Sequence, residues 1–279
     1  RGQIIGFNSS RLVLLPQGKT ENLTLRSDLV TGLQFEWPEG SLSDASRAYR
    51  DGNYKEAIRI FQAAANEPSI QQWQQKLVLI KIMSAAIEIE NLPVSTKVFV
   101  LLKSLKPPTF AYAYMPLNWT SDPISPTIAS TVNTLENEAD LYVQLIAASW
   151  SNTGNDAQQA KNSLQSLAQD QDIVLSGLAT CQLWRFEPPN EFVERQLPQA
   201  LVTRDKLPIA LQAGPTAAIA DRLEKSGDDD AAFQFWLEAA MLSDRSELPL
   251  LRIAVRHLDQ IAARTNRKGD WEALKVVFE

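Results

Sequence analysis

The sequence is poor in the side chains that build common catalytic and metal centres. It contains one cysteine, Cys181, and one histidine, His257. A lone cysteine excludes an intrachain disulfide, and a lone histidine excludes zinc sites that need several histidines. A phosphate-binding loop, a dinucleotide fingerprint, a GxSxG elbow and a CxxC pair are also missing. We therefore predict no cofactor, no metal site and no enzymatic activity.

Long apolar runs and basic stripes are missing too. The richest apolar stretch, residues 77–83, is interrupted by Lys81 and is far shorter than the about 20 residues that span a bilayer. The net charge is −6, and the closest basic cluster is Arg264, Arg267 and Lys268, which suits the carboxyl end of a helix. We predict no transmembrane segment and no nucleic-acid partner.

The chain begins at Arg1 rather than at a methionine. Removal of an upstream export signal would explain this start and predicts an exported or periplasmic protein. A start chosen within a longer chain explains it equally well.

What the sequence does contain changes character near residue 38. Residues 1–38 hold four short β-rich segments, QIIGF, RLVLL, NLTLR and VTGLQF, separated by turn residues at hairpin spacing. We predict a small β-sheet or partial barrel there. Its layout is compatible with an Sm-like barrel, but its balanced charges argue against nucleic acid and leave assembly as an alternative role.

The hydrophobic period is helical over residues 39–279, which we predict to be one helical repeat domain. The predicted helices include a long one over residues 124–150, and residues 198–213 are ambiguous. The predicted fold class is mainly α, a solenoid of helical pairs, with the small N-terminal β module.

An internal repeat supports the solenoid. Around Gly52, Gly227 and Gly269, an Ala lies seven residues before the glycine, an apolar residue five after it and an aromatic nine after it. The apolar and aromatic residues are Ala57 and Phe61, Ala232 and Trp236, and Leu274 and Phe278. A fourth match, around Gly154, needs one inserted residue.

This spacing has a physical explanation. Glycine supplies the left-handed residue that ends one helix. The positions five and nine residues after it are four residues apart, which places an apolar and an aromatic side chain on one face of the following helix. The pattern resembles the tetratricopeptide repeat over residues 41–68, 214–242 and 254–279. The order of a short β module and then repeats also resembles uncharacterised envelope proteins of planctomycete-type bacteria. Both resemblances imply stacked helical pairs, and neither supplies active residues.

One segment stands out from the helical pattern. Residues 106–123 are rich in proline and carry the aromatic and Met side chains typical of interfaces. The candidate binding residues are Phe110, Tyr112, Tyr114, Met115 and Trp119. The alternative is that this segment packs across the helices and fills a gap between repeats.

The ionisable residues favour structural roles. His257 lies on a predicted helix, with Asp259 on a different face, so we expect a local hydrogen bond rather than a catalytic pair. Asp228, Asp229 and Asp230 suit a helix N-terminus. The acidic run that includes Glu138 is expected to face solvent.

The sequence therefore favours a non-enzymatic binding or scaffolding protein that presents a helical-repeat surface to a protein or peptide partner. Two alternatives remain open. One is an enzyme of unknown class with carboxylates in the solenoid groove, and the other is a β module that mediates assembly.

Overall fold

The computed structural model describes residues 2–30, 33, 36–37, 39–135, 138–151, 156–243 and 249–278. Helices dominate these residues, and an antiparallel sheet of three strands forms the N-terminus. The predicted class, mainly α with a small N-terminal β part, is confirmed. The chain divides into two compact units, Arg1–Pro116 and Leu117–Glu279.

The N-terminal sheet has the strand order β1-β2-β3, with β1 Gly2–Phe7, β2 Arg11–Pro16 and β3 Leu23–Arg26. Leu12 of β2 lies opposite Phe7 on one side and Leu25 on the other. Ile4, Phe7 and Leu12 are buried, whereas all of β3 is exposed. One face of the β1–β2 hairpin therefore contributes to the core. Most of the predicted fourth strand, VTGLQF, lies outside the described residues.

Helices in the first unit follow one another along the chain and pack on their neighbours. α1 packs on α2, α2 on α3 and α3 on α4. Their bounds are Ser41–Arg50, Tyr54–Ala65, Gln72–Glu88 and Leu92–Ser104. Residues 76–86 of α3 are buried apart from Lys81, which explains why this helix is apolar on several faces.

Helices in the second unit are joined in the same way, with α11 on α12 and α12 on α13 among the most extensive contacts. The helices of this unit are α5 Pro126–Leu135, α6 Leu141–Trp150, α7 Ala157–Leu167, α8 Ile173–Leu183, α9 Pro189–Glu191, α10 Leu197–Asp205, α11 Ala213–Ser226, α12 Asp229–Leu242, α13 Pro249–Arg264 and α14 Lys268–Lys275. Adjacent helices thus pack as in a helical-repeat protein.

A π-helical turn, Phe192–Gln196, joins α9 to α10. Pro198 follows in the first turn of α10 and has no N–H to donate, and its ring would clash with the carbonyl of Glu194 in a regular helix. The wider turn removes that clash, so the helical path continues from residue 189 to residue 205 with Phe192 buried.

The repeat prediction is confirmed at two of its glycines. Gly52 and Gly227 have φ values of 76° and 86°, in the left-handed region. Nine residues further on, Phe61 and Trp236 are fully buried. The alanines seven residues before each glycine are buried as well, as close helix packing requires.

The prediction is wrong at the third glycine. Gly269 lies inside α14 and does not end a helix. Leu274 is exposed, and Phe278 is only half-buried. Trp271 fills the core position instead, edge-on to Phe233 with ring centroids 6.3 Å apart. Gly154 lies outside the described residues.

The predicted long helix over residues 124–150 is also wrong, because two helices, α5 and α6, occupy this region. The Asp140 side chain accepts a hydrogen bond from the backbone N of Tyr142 (2.9 Å) and so starts α6 as a new helix. The ambiguous residues 198–213 form most of α10 and a short 3-10 helix, Ile209–Leu211.

Candidate functional site

The segment 106–123 contains one short 3-10 helix, Thr109–Tyr114. Pro107 and Pro108 precede it, and their fixed φ angles and missing N–H groups prevent α4 from continuing. The candidate binding residues fall into both units. Phe110, Tyr112, Tyr114 and Met115 belong to the first unit, and Trp119 belongs to the second.

Within the first unit, these aromatics join the β module to the helices. Phe110 stacks on Phe7 of β1, with ring centroids 5.4 Å apart and planes at 11°. Tyr114 meets Phe110 edge-on at 6.3 Å, and Tyr112 meets Phe99 of α4 edge-on at 6.0 Å. The segment therefore fills a space between the sheet and α4.

Trp119 packs on the first turn of α11. A methyl group built on Gly214 would lie 2.2 Å from Cε2 of the indole, so the ring rests on the glycine backbone itself. Trp119 is buried by this contact.

Phe110, Tyr114, Met115 and Trp119 are buried, and Tyr112 is half-buried. These five residues therefore share no exposed aromatic face. The alternative that the segment fills a gap accounts for their packing. The binding role remains a prediction, and Tyr112 is the one of the five that is exposed enough to contact a partner directly.

The structure brings together a second group of residues, around His257 of α13. Its Nδ1 lies 2.8 Å from Glu224 Oε2 on α11, and its Nε2 lies 3.4 Å from Asp122 Oδ2. The second distance is long for a hydrogen bond and describes a charge contact. The imidazole also stacks on Trp236 of α12, with centroids 4.2 Å apart and planes at 11°. We call Asp122, Glu224, Trp236, His257 and Arg264 the His257 cluster.

Glu224 is the centre of this cluster. Its carboxylate accepts hydrogen bonds from His257 Nδ1 and from Trp236 Nε1 (2.9 Å). Arg264 donates to it as well, at 2.8 Å, and also pairs with Asp229 at 2.7 Å. One carboxylate on α11 thereby connects α12 and α13.

The pKa values of the cluster follow from these contacts. Burial disfavours the charged form of His257, but Asp122 and Glu224 outweigh it and raise the pKa of the imidazole to about 9. Burial also works against the Glu224 carboxylate, yet His257 and Arg264 lower its pKa to about 2. The His257 contact is the largest cause that lowers the pKa of Asp122, also to about 2. His257 is thus a cation between two anions at neutral pH.

The structure confirms that His257 lies on a helix with Asp259 on another face, because Asp259 accepts from Trp271 and Lys275 instead. The expected local hydrogen bond of His257 is wrong, since its partner Glu224 belongs to another helix. Sequence reasoning missed Asp122 and Glu224. They lie 135 and 33 residues from His257, and no local pattern connects such positions.

Two buried arginines lie next to the segment that ends at Asp122, and one of them, Arg185, bonds to its backbone. Arg185 Nη1 donates to the carbonyl oxygens of Asn118 (2.7 Å) and Ser149 (2.8 Å), and Nη2 donates to that of Thr120. Burial lowers the pKa of the Arg185 guanidinium, and these acceptors favour its charged form. Arg222 pairs with the buried Asp221 at 2.6 Å and donates to the hydroxyl of Ser121.

The acidic turn before α12 forms a shallow groove of about 550 Å³ with residues 265–267 and Asp270. Asp228 caps α12 by accepting from the backbone N of Ala231 (3.0 Å), while Asp230 pairs with Arg267 (2.7 Å). Among the described residues, no group of His, Cys, Asp or Glu is arranged to hold a metal ion. Burial raises the pKa of the Cys181 thiol, which makes it a poor nucleophile.

Comparisons of the chain with protein-family models, with curated proteins and with solved structures gave no match. Within the described part of the chain, no helix has the length and apolar character needed to cross a membrane.

Proposed function

We propose that the protein is a non-enzymatic binding or scaffolding protein that presents a helical-repeat surface to a protein or peptide partner. The observation that carries this proposal is the recurrence of one packing arrangement. Gly52 with Phe61 and Gly227 with Trp236 make the same turn and fill the same core position in different units. Stacked helical pairs present an extended concave surface, which repeat proteins use for binding.

The enzyme alternative has less support. Both ring nitrogens of His257 face carboxylates, and its side chain is 7% exposed. In the groove before α12, Asp229 and Asp230 are paired with arginines. These groups are engaged in structural contacts rather than directed at a substrate.

We also propose that the helical pairs are of the tetratricopeptide type and that the protein comes from a bacterial envelope. The assignment to the tetratricopeptide type is based on the left-handed glycine and on the buried alanine and aromatic side chains that follow it. The proposed origin in a bacterial envelope is based on the order of the chain, in which a β module precedes the repeats.

Tyr112 provides the test of the predicted binding segment, because its ring is half-buried and reaches both Phe99 and solvent. Tyr54 is a matched control in the same unit. Its ring is half-buried too, and it meets another aromatic, Tyr49, edge-on at 5.3 Å.

The experiment is affinity capture from an extract of the source organism with the immobilised wild-type chain, followed by titration of the captured protein with purified variants. If Tyr112 is a central contact of the partner, Tyr112→Ala should weaken binding at least about tenfold, as truncation of a hot-spot tyrosine does. Tyr54→Ala should bind normally. Failure of the wild-type chain to retain any protein saturably would contradict the binding function. Equal binding by both variants would contradict only the assignment of Tyr112.

A further inference from the structure

Residues 117–122, which we call the strap, are the first residues of the second unit and have no regular secondary structure. The hydrogen bonds that the structure describes for their amide groups all go to side chains. They join Asn118 N to Ser149 Oγ (3.1 Å), Thr120 N to Asn118 Oδ1 (3.1 Å), Ser121 N to Asp221 Oδ1 (3.3 Å) and Asp122 N to Thr120 Oγ1 (3.5 Å). The strap therefore depends on side-chain contacts, unlike the helices around it.

The two ends of the strap are held by different chemistry. The inner end is buried, and its carbonyl groups at Asn118 and Thr120 accept from Arg185. At the outer end, the Ser121 hydroxyl donates to the buried Asp221 (2.8 Å) and accepts from Arg222. Asp122, whose side chain is 37% exposed, pairs there with His257 and Arg256. Arg256 is half-exposed, and ion pairs in that setting are weak. His257 is the buried cation that faces Asp122, through a charge contact of 3.4 Å, and an imidazolium loses its charge on deprotonation.

Charged groups on each surrounding element determine the charge of His257. Glu224 approaches from α11 and Asp122 from the strap. On α13 itself, Arg256 and Arg264 pair with these two carboxylates. From α12, Trp236 covers one face of the imidazole, and Asp229 reaches the cluster through Arg264. Loss of the imidazolium charge would leave Asp122 opposite a neutral ring.

We propose that the strap is an ionic latch, which opens as a unit before the surrounding helices unfold when either the imidazolium of His257 or the carboxylate of Asp122 loses its charge. Opening breaks the outer attachment first and then the side-chain bonds of the amides. The helices α11, α12 and α13 keep their own backbone hydrogen bonds and stay folded.

Hydrogen–deuterium exchange of the whole chain, read by mass spectrometry on peptides, tests this latch. We would label at pH 6.5 and pH 9.5, with labelling times scaled for the faster intrinsic exchange at high pH. After this scaling, amides of residues 118–122 should exchange at least about tenfold faster at pH 9.5, at labelling times at which the amides of α11–α13 are still protected at both pH values.

Asp122→Asn supplies the second arm, because it removes the charge at a partly exposed position. Its strap should exchange fast at both pH values. Asp259→Asn is the matched control, since Asp259 lies on the same helix as His257 but bonds Trp271 and Lys275, so its strap should behave as in the wild type. The latch is overturned if strap and helices become deuterated over the same labelling times, if the wild-type strap is insensitive to pH, or if Asp122→Asn leaves strap exchange unchanged.

Discussion

The indole of Trp119 rests directly on the Cα of Gly214, although the two residues are 95 positions apart in the chain. A side chain at residue 214 would occupy the volume of the ring, with a Cβ 2.4 Å from Nε1 and 2.7 Å from Cδ2. The backbone at Gly214 is helical, a conformation that any residue can adopt. The glycine is therefore required for the close approach of the indole and not for its backbone conformation.

This contact predicts that Gly214→Ala destabilises the protein despite the better helix propensity of alanine. Overpacking of this kind typically costs about 1–3 kcal/mol. Urea unfolding measures the change in the free energy of unfolding. Near-ultraviolet circular dichroism should report the displacement of Trp119.

Gly269→Ala is the control for this prediction. Gly269 is also helical, but an added methyl group there would meet nothing within 4 Å. We expect it to be neutral or stabilising by up to about 1 kcal/mol. Equal effects of the two substitutions would show that Trp119 does not pack on Gly214.

The shared position of Phe61 and Trp236 gives a second prediction. Both side chains are fully buried, so Phe61→Ala and Trp236→Ala should each lower the free energy of unfolding by about 3–5 kcal/mol. Trp236→Phe keeps much of the volume but loses the hydrogen bond to Glu224, and its cost should be smaller.

Ile173→Ala serves as the comparison, because Ile173 is 77% exposed and should change stability by no more than about 0.5 kcal/mol. A loss below about 1 kcal/mol for Phe61→Ala would mean that the repeat does not define the core. The measurement is again urea unfolding at a fixed pH.

The parts of the fold that could be predicted are those set by local spacing. The change from strands to helices after residue 38, the turns at Gly52 and Gly227 and the burial of Phe61 and Trp236 all depend on residues within about four helical turns of one another. Gly269 matched the same spacing and failed, because α13 ends at Arg264 and α14 begins at Lys268, so that this glycine falls one residue inside the new helix.

The candidate sites show why local pattern is not sufficient. Aromatics at 110–119 have the composition of an interface and of a core alike, and the contacts with Phe7 and Gly214 that bury them come from distant parts of the chain. The ion pairs of His257 likewise join residues whose sequence separation carries no periodic signal.

The His257 cluster predicts how stability depends on pH. The pKa of His257 is raised to about 9 in the folded protein, above its ordinary value of 6.5. A raised pKa stabilises the folded state fully below pH 6.5, and this contribution is lost as the pH rises from 6.5 to about 9. The pKa values of Asp122 and Glu224 are lowered to about 2, so their contribution is present above about pH 4.5 and is lost as the pH falls toward 2.

We therefore expect a plateau of stability between about pH 5 and 6.5, and a loss on the order of 3 kcal/mol by pH 9, since each unit of pKa shift corresponds to about 1.4 kcal/mol. Because His257 is the only histidine, its ring gives one Cε1–H signal in the proton NMR spectrum, and the titration midpoint can be read directly. His257→Gln removes the titrating group and should flatten the stability profile between pH 6.5 and 9. A midpoint near 6.5, or a wild-type profile as flat as that of the variant, would show that Asp122 and Glu224 do not hold the imidazole in its charged form.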